Sequence, residues 1–304
     1  NQLVITASKD TFFQKGDIVL SIDGKPGKDC LTDAEEYVSG SPQLKRFRAL
    51  NMIGKGLIDS DVNIKLIRNK QVIEVNSKRI LVESNLFFNS IVEFDFPRFK
   101  KLAGDIYYIN LSGVTNKQIF DSLHQLSKAK GIIFDSRFDG KTKDYTDIFN
   151  MSGFIPYLVD TVVYSAWWNI PQIVYPDRKE VTFHQSHWTI QPKEPKIRTK
   201  IVFINDPSVV SSGESYMGIF ENYKLAEFVG EPTAGCNGNA NFIPLLGGFE
   251  IMFTGMKVLK HDGSQHHLVG IKPTYPVQRT IKAIKEGKDE YLEKAIEVIK
   301  AQTN

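Results

Sequence analysis

Over about the first 80 residues the chain alternates apolar and polar positions in short runs. The run IVLSI (18–22), entered through Gly16–Asp17 and left through DGKP, predicts a strand between two turns. DVNIKLIRNKQVIEVNSKRI (61–80) carries a period of two, with Val62, Ile64 and Leu66 on one face. A turn at Asn69–Lys70 joins it to the strand that opens at Val72, making a hairpin. Between them, DAEEYVSGSPQLKRFRALNMIG (33–54) begins as a short helix. From about residue 104 the pattern changes: DIYYINL is a buried strand, TNKQIFDSLHQLSKAK places Ile119, Phe120, Leu123 and Leu126 at helical spacing, and GIIFDSR is a second buried strand. That is a βαβ unit, which sets parallel strands side by side with functional loops at their carboxyl ends. A second unit runs KIVFIN (200–205), a helix over 212–223, and LAEFVG (225–230). DEYLEKAIEVIKA closes the chain as an amphipathic helix with Leu292, Ile296 and Ile299 inward. LLGGFEIMFTG (245–255) reads as a hairpin packing beside the segment around Ser211. Residues 167–198, rich in proline and aromatics, show little periodicity; they form either a lid or binding wall, or an ordinary surface excursion.

Composition narrows the function only by exclusion. A chain of 304 residues has room for about two domains, and 41% hydrophobic with 24% charged residues is ordinary for a soluble protein. The net charge of +3, with no basic stretch interleaved with aromatics, argues against a nucleic-acid partner. Cys30 and Cys236 are far apart and join no Cys/His ligand pattern, so no structural zinc site is expected; no other metal and no cofactor is implied. No apolar run has the length of a membrane span. The chain opens on Asn and carries no leader pattern, so it reads as a piece of something longer.

The chemistry gathers at strand ends. Ser211 follows KIVFIN and opens a helix, in SSGES. Serine there caps the helix or acts as a nucleophile, with free helix N–H groups beside it for a developing oxyanion. The next strand ends in VGEPTAG (229–235), and the GIIF strand ends in DSRFDG (135–140). Taken in order, Asp135-x-Arg137-x-x-Gly140, then Ser211-x-x-Glu214, then Val229-Gly230-x-x-Thr233-x-Gly235, then Gly270-Ile271-x-Pro273, the segments resemble those of the tail-specific, or C-terminal-processing, serine peptidases. Tricorn-core and interphotoreceptor retinol-binding relatives share the pattern. The order G-D-x-(I/V)-L-x-I-D-G, helix, hairpin at the front resembles a PDZ domain, although NQLVITASKD holds no carboxylate-capping loop.

The resemblance implies an α/β chain, α+β overall: a PDZ-like domain over 1–81 and a spiral, crotonase/ClpP-like peptidase core over 82–304. It implies a serine endopeptidase acting on extended or unfolded polypeptide through an acyl-enzyme, in an extracytoplasmic compartment such as the periplasm. Ser211 takes the nucleophile's place, and the N–H groups of Gly140 and Ser212 that of the oxyanion hole. The processing proteases carry a lysine base directly after the last glycine of V-G-x-x-T-x-G and a glutamine four residues on; here those positions are Cys236 and Ala240. Lys224, Lys257 and Lys260 read as solvated charges. The tricorn-like branch uses a histidine base, and His267 stands where those members have glutamate; it is the first choice, ahead of His266 and His124. His184 and His187 reach the site only if the 167–198 segment folds over it, and Thr274 replaces the family Asp after Pro273. Glu214 reads as a complement to the helix dipole and a cap, Arg137 as a brace for Asp135, and Asn239 as a donor to substrate. The rival reading, favoured by Cys236, is a peptidase-fold module that has lost its base and binds peptides or hydrophobic ligands.

Overall fold

The computed structural model describes residues 2–8, 10–80, 97–137, 151–172 and 180–303. The front of the chain is a five-stranded antiparallel sheet, with β1 (Leu3–Val4), β2 (Ile18–Ile22) and β3 (Lys25–Pro26) leading into α1 (Gly27–Glu36) and α2 (Pro42–Leu50). β4 (Asp61–Arg68) and β5 (Gln71–Lys78) complete it in the order β1-β2-β4-β5, with β3 on β2. Asn69 and Lys70 both adopt positive φ (50° and 69°), the backbone of a two-residue hairpin turn whose twist matches the strands. Val62 and Leu66 are buried on the predicted face. α2 was missed by periodicity, yet Ser41 caps it through Leu44 N (3.1 Å) and Pro42 stands at its first turn, both start signals readable in the sequence.

A six-stranded sheet forms the centre, ordered β18-β14-β13-β8-β7-β6. In chain order its first half is β6 (Phe99–Leu102), β7 (Ile106–Asn110), α3 (Asn116–Asp121), α4 (Leu123–Leu126) and β8 (Gly131–Asp135). The helix expected over 115–130 breaks at Ser122 into α3 and α4. After β9 (Val163–Tyr164), β10 (Trp168–Gln172), β11 (Thr182–Ser186) and β12 (Thr189–Ile190), the chain returns to the sheet as β13 (Lys200–Asn205), α5 (Ser212–Asn222) and β14 (Glu227–Gly230). β7, β8, β13, β14 and β18 run parallel and only β6 is antiparallel. All five residues of β7 and of β8 are buried, as strands covered on both faces must be.

Beyond β14 come β15 (Ala240–Pro244), β16 (Glu250–Thr254), β17 (Lys257–Val258), β18 (Tyr275–Pro276), α6 (Ile281–Glu286) and α7 (Glu290–Thr303). One face of the sheet packs under α5 and the segment around Met151–Val163, with Phe134, Phe203, Phe220 and Phe228 at its heart. The other packs under α7, whose buried residues are Tyr291, Ala295, Val298 and Ile299; Leu292 and Ile296, expected inward, sit at the margin. The described residues of 167–198 are less irregular than expected. β10 and β11 pair antiparallel, β10 also pairs β17, and Trp188 stacks on Tyr216 of α5 at 4.6 Å. The β15–β16 hairpin starts earlier than expected, and all ten of its strand residues are exposed. Among the described residues no helix is long and apolar enough to cross a membrane, and no group of His, Cys, Asp and Glu is placed to hold a metal ion.

Candidate active site

β13 ends at Asn205 and five residues bring the chain to Ser211 at the head of α5. Ser211 has φ +54° and ψ −122°, a backbone region L side chains enter only under strain of about 1–3 kcal/mol. Its hydroxyl makes no cap bond, so the capping reading of this serine falls. A cap needs extended backbone to aim its oxygen at the N2 or N3 amide, and this φ aims it elsewhere. The distorted turn is anchored by Ser211 N donating to Cys236 O at 2.8 Å, while the hydroxyl meets no hydrogen-bonding partner among the described residues. Both Ser211 and Ser212 are exposed. The Ser212 N–H, first in the helix, has no intrahelical acceptor and points to the end where the dipole is positive.

Glu214, 1% exposed, corrects its expected role as dipole complement and cap. Its carboxylate reaches off the helix to accept from Thr233 Oγ1 (2.5 Å), Gly235 N (2.6 Å) and Cys236 N (2.8 Å). Burial forces this arrangement, because a charge out of water must be hydrogen-bonded and the adjoining loop offers the donors. The same loop is sewn to the segment after β17: Thr233 N donates to Ile271 O (3.1 Å), Ile271 N to Thr233 Oγ1 (2.8 Å) and Leu268 N to Gly235 O (2.9 Å). Gly235 (φ +64°) and Gly270 (φ +70°) meet here. A Cβ at Gly235 would fall 2.8 Å from Val269 N, and one at Gly270 2.6 Å from Thr233 O. Three of the four sequence segments therefore converge on the head of α5.

The histidines sort by position. His266 is buried, and its Nε2 stands 3.3 Å from Glu214 Oε2, within ion-pair distance but off the angle of a hydrogen bond. His267 is exposed and lines, with His266, Asn237, Met256 and Lys257, a cavity of about 530 Å³. Asn237 ties that cavity to the site helix through Ser215 Oγ (3.0 Å). His187 is held between Tyr164 and Trp167, with ring centroids at 4.9 and 4.1 Å, and His184 and His124 are exposed elsewhere. Cys236 is solvent-accessible but closely surrounded; desolvation and the Glu214 charge push its thiol above the usual range, although Arg48 pulls the other way.

The family model of peptidase family S41 matches residues 105–277, more than half of the chain. The chain belongs to peptidase family S41. Among solved structures, mature CPAF is similar over 98% of this chain and 79% of its own, with 12% identity and a TM-score of 0.71. A serine-to-alanine mutant of CPAF gives 0.73 at 14% identity, over 99% of this chain and 81% of that one. A peptidase candidate from Parabacteroides merdae gives 0.55 at 15% identity, over 90% and 88%. At these identities the likeness is one of fold. No curated protein matches the chain.

In this S41 peptidase the end of β8 is braced by charge. Arg137 Nη2 reaches Asp135 Oδ2 and Asp289 Oδ2, both at 2.6 Å, and Tyr108 OH donates to Asp135 Oδ2 at 2.7 Å. Gly140, expected in the oxyanion hole, lies outside the described residues. Asn239 is exposed in the turn after Asn237. Sequence reasoning missed Asp289 and Tyr108, which come from distant elements and carry no local signal. Beside them, burial pushes the Asp206 carboxyl up against the opposing hydrogen bonds from Ser208. It also missed Ser41 and Gln43: Ser41 Oγ donates to Ala234 O (2.6 Å) and Gln43 Nε2 to Thr233 O (3.0 Å), so α2 grips the site loop from the front of the chain.

Proposed function

We propose that this S41 peptidase is a serine endopeptidase that cleaves extended or unfolded polypeptide through an acyl-enzyme. The strained backbone of Ser211, whose hydroxyl makes no hydrogen bond among the described residues, carries the reading. Strain of this kind recurs where a turn must hold a nucleophile up to its substrate. Ser211 Oγ attacks the scissile carbonyl carbon, and the Ser212 and Gly140 N–H groups receive the oxyanion, each such donor worth about 3 kcal/mol. His267 takes the hydroxyl proton and passes it to the leaving amine, after which water releases the acyl group. Its exposure on a cavity that shares Asn237 with the site helix favours it over buried His266. Glu214, Cys236 and Arg137 then support the loops. The front sheet with α1 and α2 is read as a PDZ domain that assists substrate capture; the support is its element order and the contacts of α2 with the site loop.

A second reading has its own observation: the Ser211 hydroxyl has no base within hydrogen-bond reach among the described residues, and the Cys236 thiol is pushed away from ionising. On that reading the fold binds peptide without cleaving it. Labelling with a biotinylated fluorophosphonate separates the two. The expected result is modification of Ser211, lost in Ser211→Ala and in His267→Ala and kept in Cys236→Ser. Folded protein that takes no label would establish the binding reading instead.

A further inference from the structure

The β15–β16 hairpin is an open ribbon. No other described strand pairs with either edge, and every strand residue is exposed. Its register places Asn241 opposite Phe253 and Ile243 opposite Ile251, and Leu245 N donates to Phe249 O at 2.8 Å, so Leu245 and Phe249 continue the pairing. Residues opposite each other share a face. One face thus carries Ile243, Leu245, Phe249, Ile251 and Phe253, with Asn241 as its sole polar member. The other mixes Phe242 and Met252 with Ala240, Pro244, Glu250 and Thr254. The first face is the more apolar of the two, and it looks at water: Phe249 is 73% exposed, and Leu246 at the tip 97%.

We propose that this face is the interface between two copies of the chain, packed ribbon face to ribbon face about a two-fold axis. An isolated two-stranded hairpin is marginal in water and needs a partner for its apolar side. The five side chains and Leu246 expose on the order of 650 Å² per copy; doubled, this clears the roughly 1,000 Å² a specific interface requires. A two-fold axis through the Ile243–Ile251 pair sets the Asn241–Phe253 end of one ribbon against the Leu245–Phe249 end of the other. No like charges then meet, and the chain's net charge of +3 opposes self-association only weakly. Insertion into lipid is disfavoured by the two open edges, whose unpaired backbone groups would enter hydrocarbon at several kcal/mol each.

Sedimentation of the whole chain over a concentration series tests this. The expected mass is that of two chains, falling to one chain in Ile251→Lys/Phe253→Lys and unchanged in Met252→Lys on the opposite face. A photoreactive benzoyl-phenylalanine placed at position 251 should crosslink to residues 240–254 of a second copy, a readout that survives if the lysine variants fold poorly. A single-chain mass at every concentration, a two-chain mass retained by a folded double lysine variant, or crosslinks falling elsewhere would overturn the proposal. So would phosphatidylcholine vesicles, or a carboxymethylated apolar polypeptide, binding the ribbon in place of a second copy.

Discussion

Ser211 holds a conformation that glycine would adopt at no steric expense. Ser211→Gly should therefore stabilise the fold by about 1 kcal/mol while removing the hydroxyl proposed as nucleophile, whereas Ser211→Ala, which keeps the Cβ, gains nothing. Urea midpoints of the two variants against the parent decide it; a Ser211→Gly protein less stable than Ser211→Ala would mean that the backbone angle carries no strain. A second residue-scale effect lies far from the site. Asp17, 1% exposed, accepts from Arg68 Nε (2.8 Å) and Nη2 (2.6 Å) and from Gln14 N (2.8 Å). The Arg68 guanidinium foremost, with the Gln14 N–H, holds its carboxyl below the usual carboxylate range against desolvation. The folded pKa lies under the unfolded one, so the stabilisation is present above about pH 4 and disappears as pH falls through the depressed value. The melting-temperature gap between parent and Asp17→Asn should be wide at neutral pH and narrow as pH falls below the unfolded carboxylate's value of about 4. A gap independent of pH would assign the loss to packing alone.

At the scale of elements, the sheet and α7 meet without slack. Gly131 opens β8, and a Cβ there would fall 2.4 Å from Ile299 Cγ2 and 2.6 Å from Cδ1, on a side chain that is 1% exposed and has nowhere to turn. Gly131→Ala should destabilise by about 1–3 kcal/mol in denaturant melts, and adding Ile299→Val should recover part of it, since the two sites share one contact. Additive losses would show that the overlap is relieved by backbone movement instead. Elements of this kind were the most legible part of the chain. β13 runs over the predicted 200–205, because a short unbroken apolar run rich in β-branched and aromatic residues favours a covered strand. Where prediction slipped, packing had overridden the local pattern: the 115–130 helix breaks at Ser122, and the described residues of 167–198 take their order from pairing with β17 and from Trp188 against Tyr216.

Across the whole molecule, the front sheet and the six-stranded core are tied at the site itself. Ser41 serves two partners, capping α2 at Leu44 N and donating to Ala234 O, and Gln43 Nε2 bridges Thr233 O and Val269 O. Ser41→Ala and Gln43→Ala should each destabilise by about 1–2 kcal/mol, since both leave buried carbonyls without a donor. Amide exchange at Gly235 and Cys236 should accelerate in both variants while β4 and β5 keep their protection. Unchanged exchange at those two amides would show that Glu214 holds the loop without help from the front of the chain.

The sequence by itself determined the parallel strands, the helix opened by Ser211 and the order of the four segments, because hydrophobic period and glycine placement act over a few residues and leave a local trace. It could also point at Ser211, but not rule out the cap. The cap is ruled out by a backbone angle held through Cys236 O, a contact that exists only once the loop after β14 has closed on α5. Glu214 is the same case: on the helix it is one more acidic residue in a first turn, and only burial against the loop turns its carboxylate into the acceptor of three hydrogen bonds. His266 and His267 are neighbours in the chain, yet one is buried beside that carboxylate and the other faces the cavity. Desolvation and direction belong to the packed chain, and no run of letters carries them.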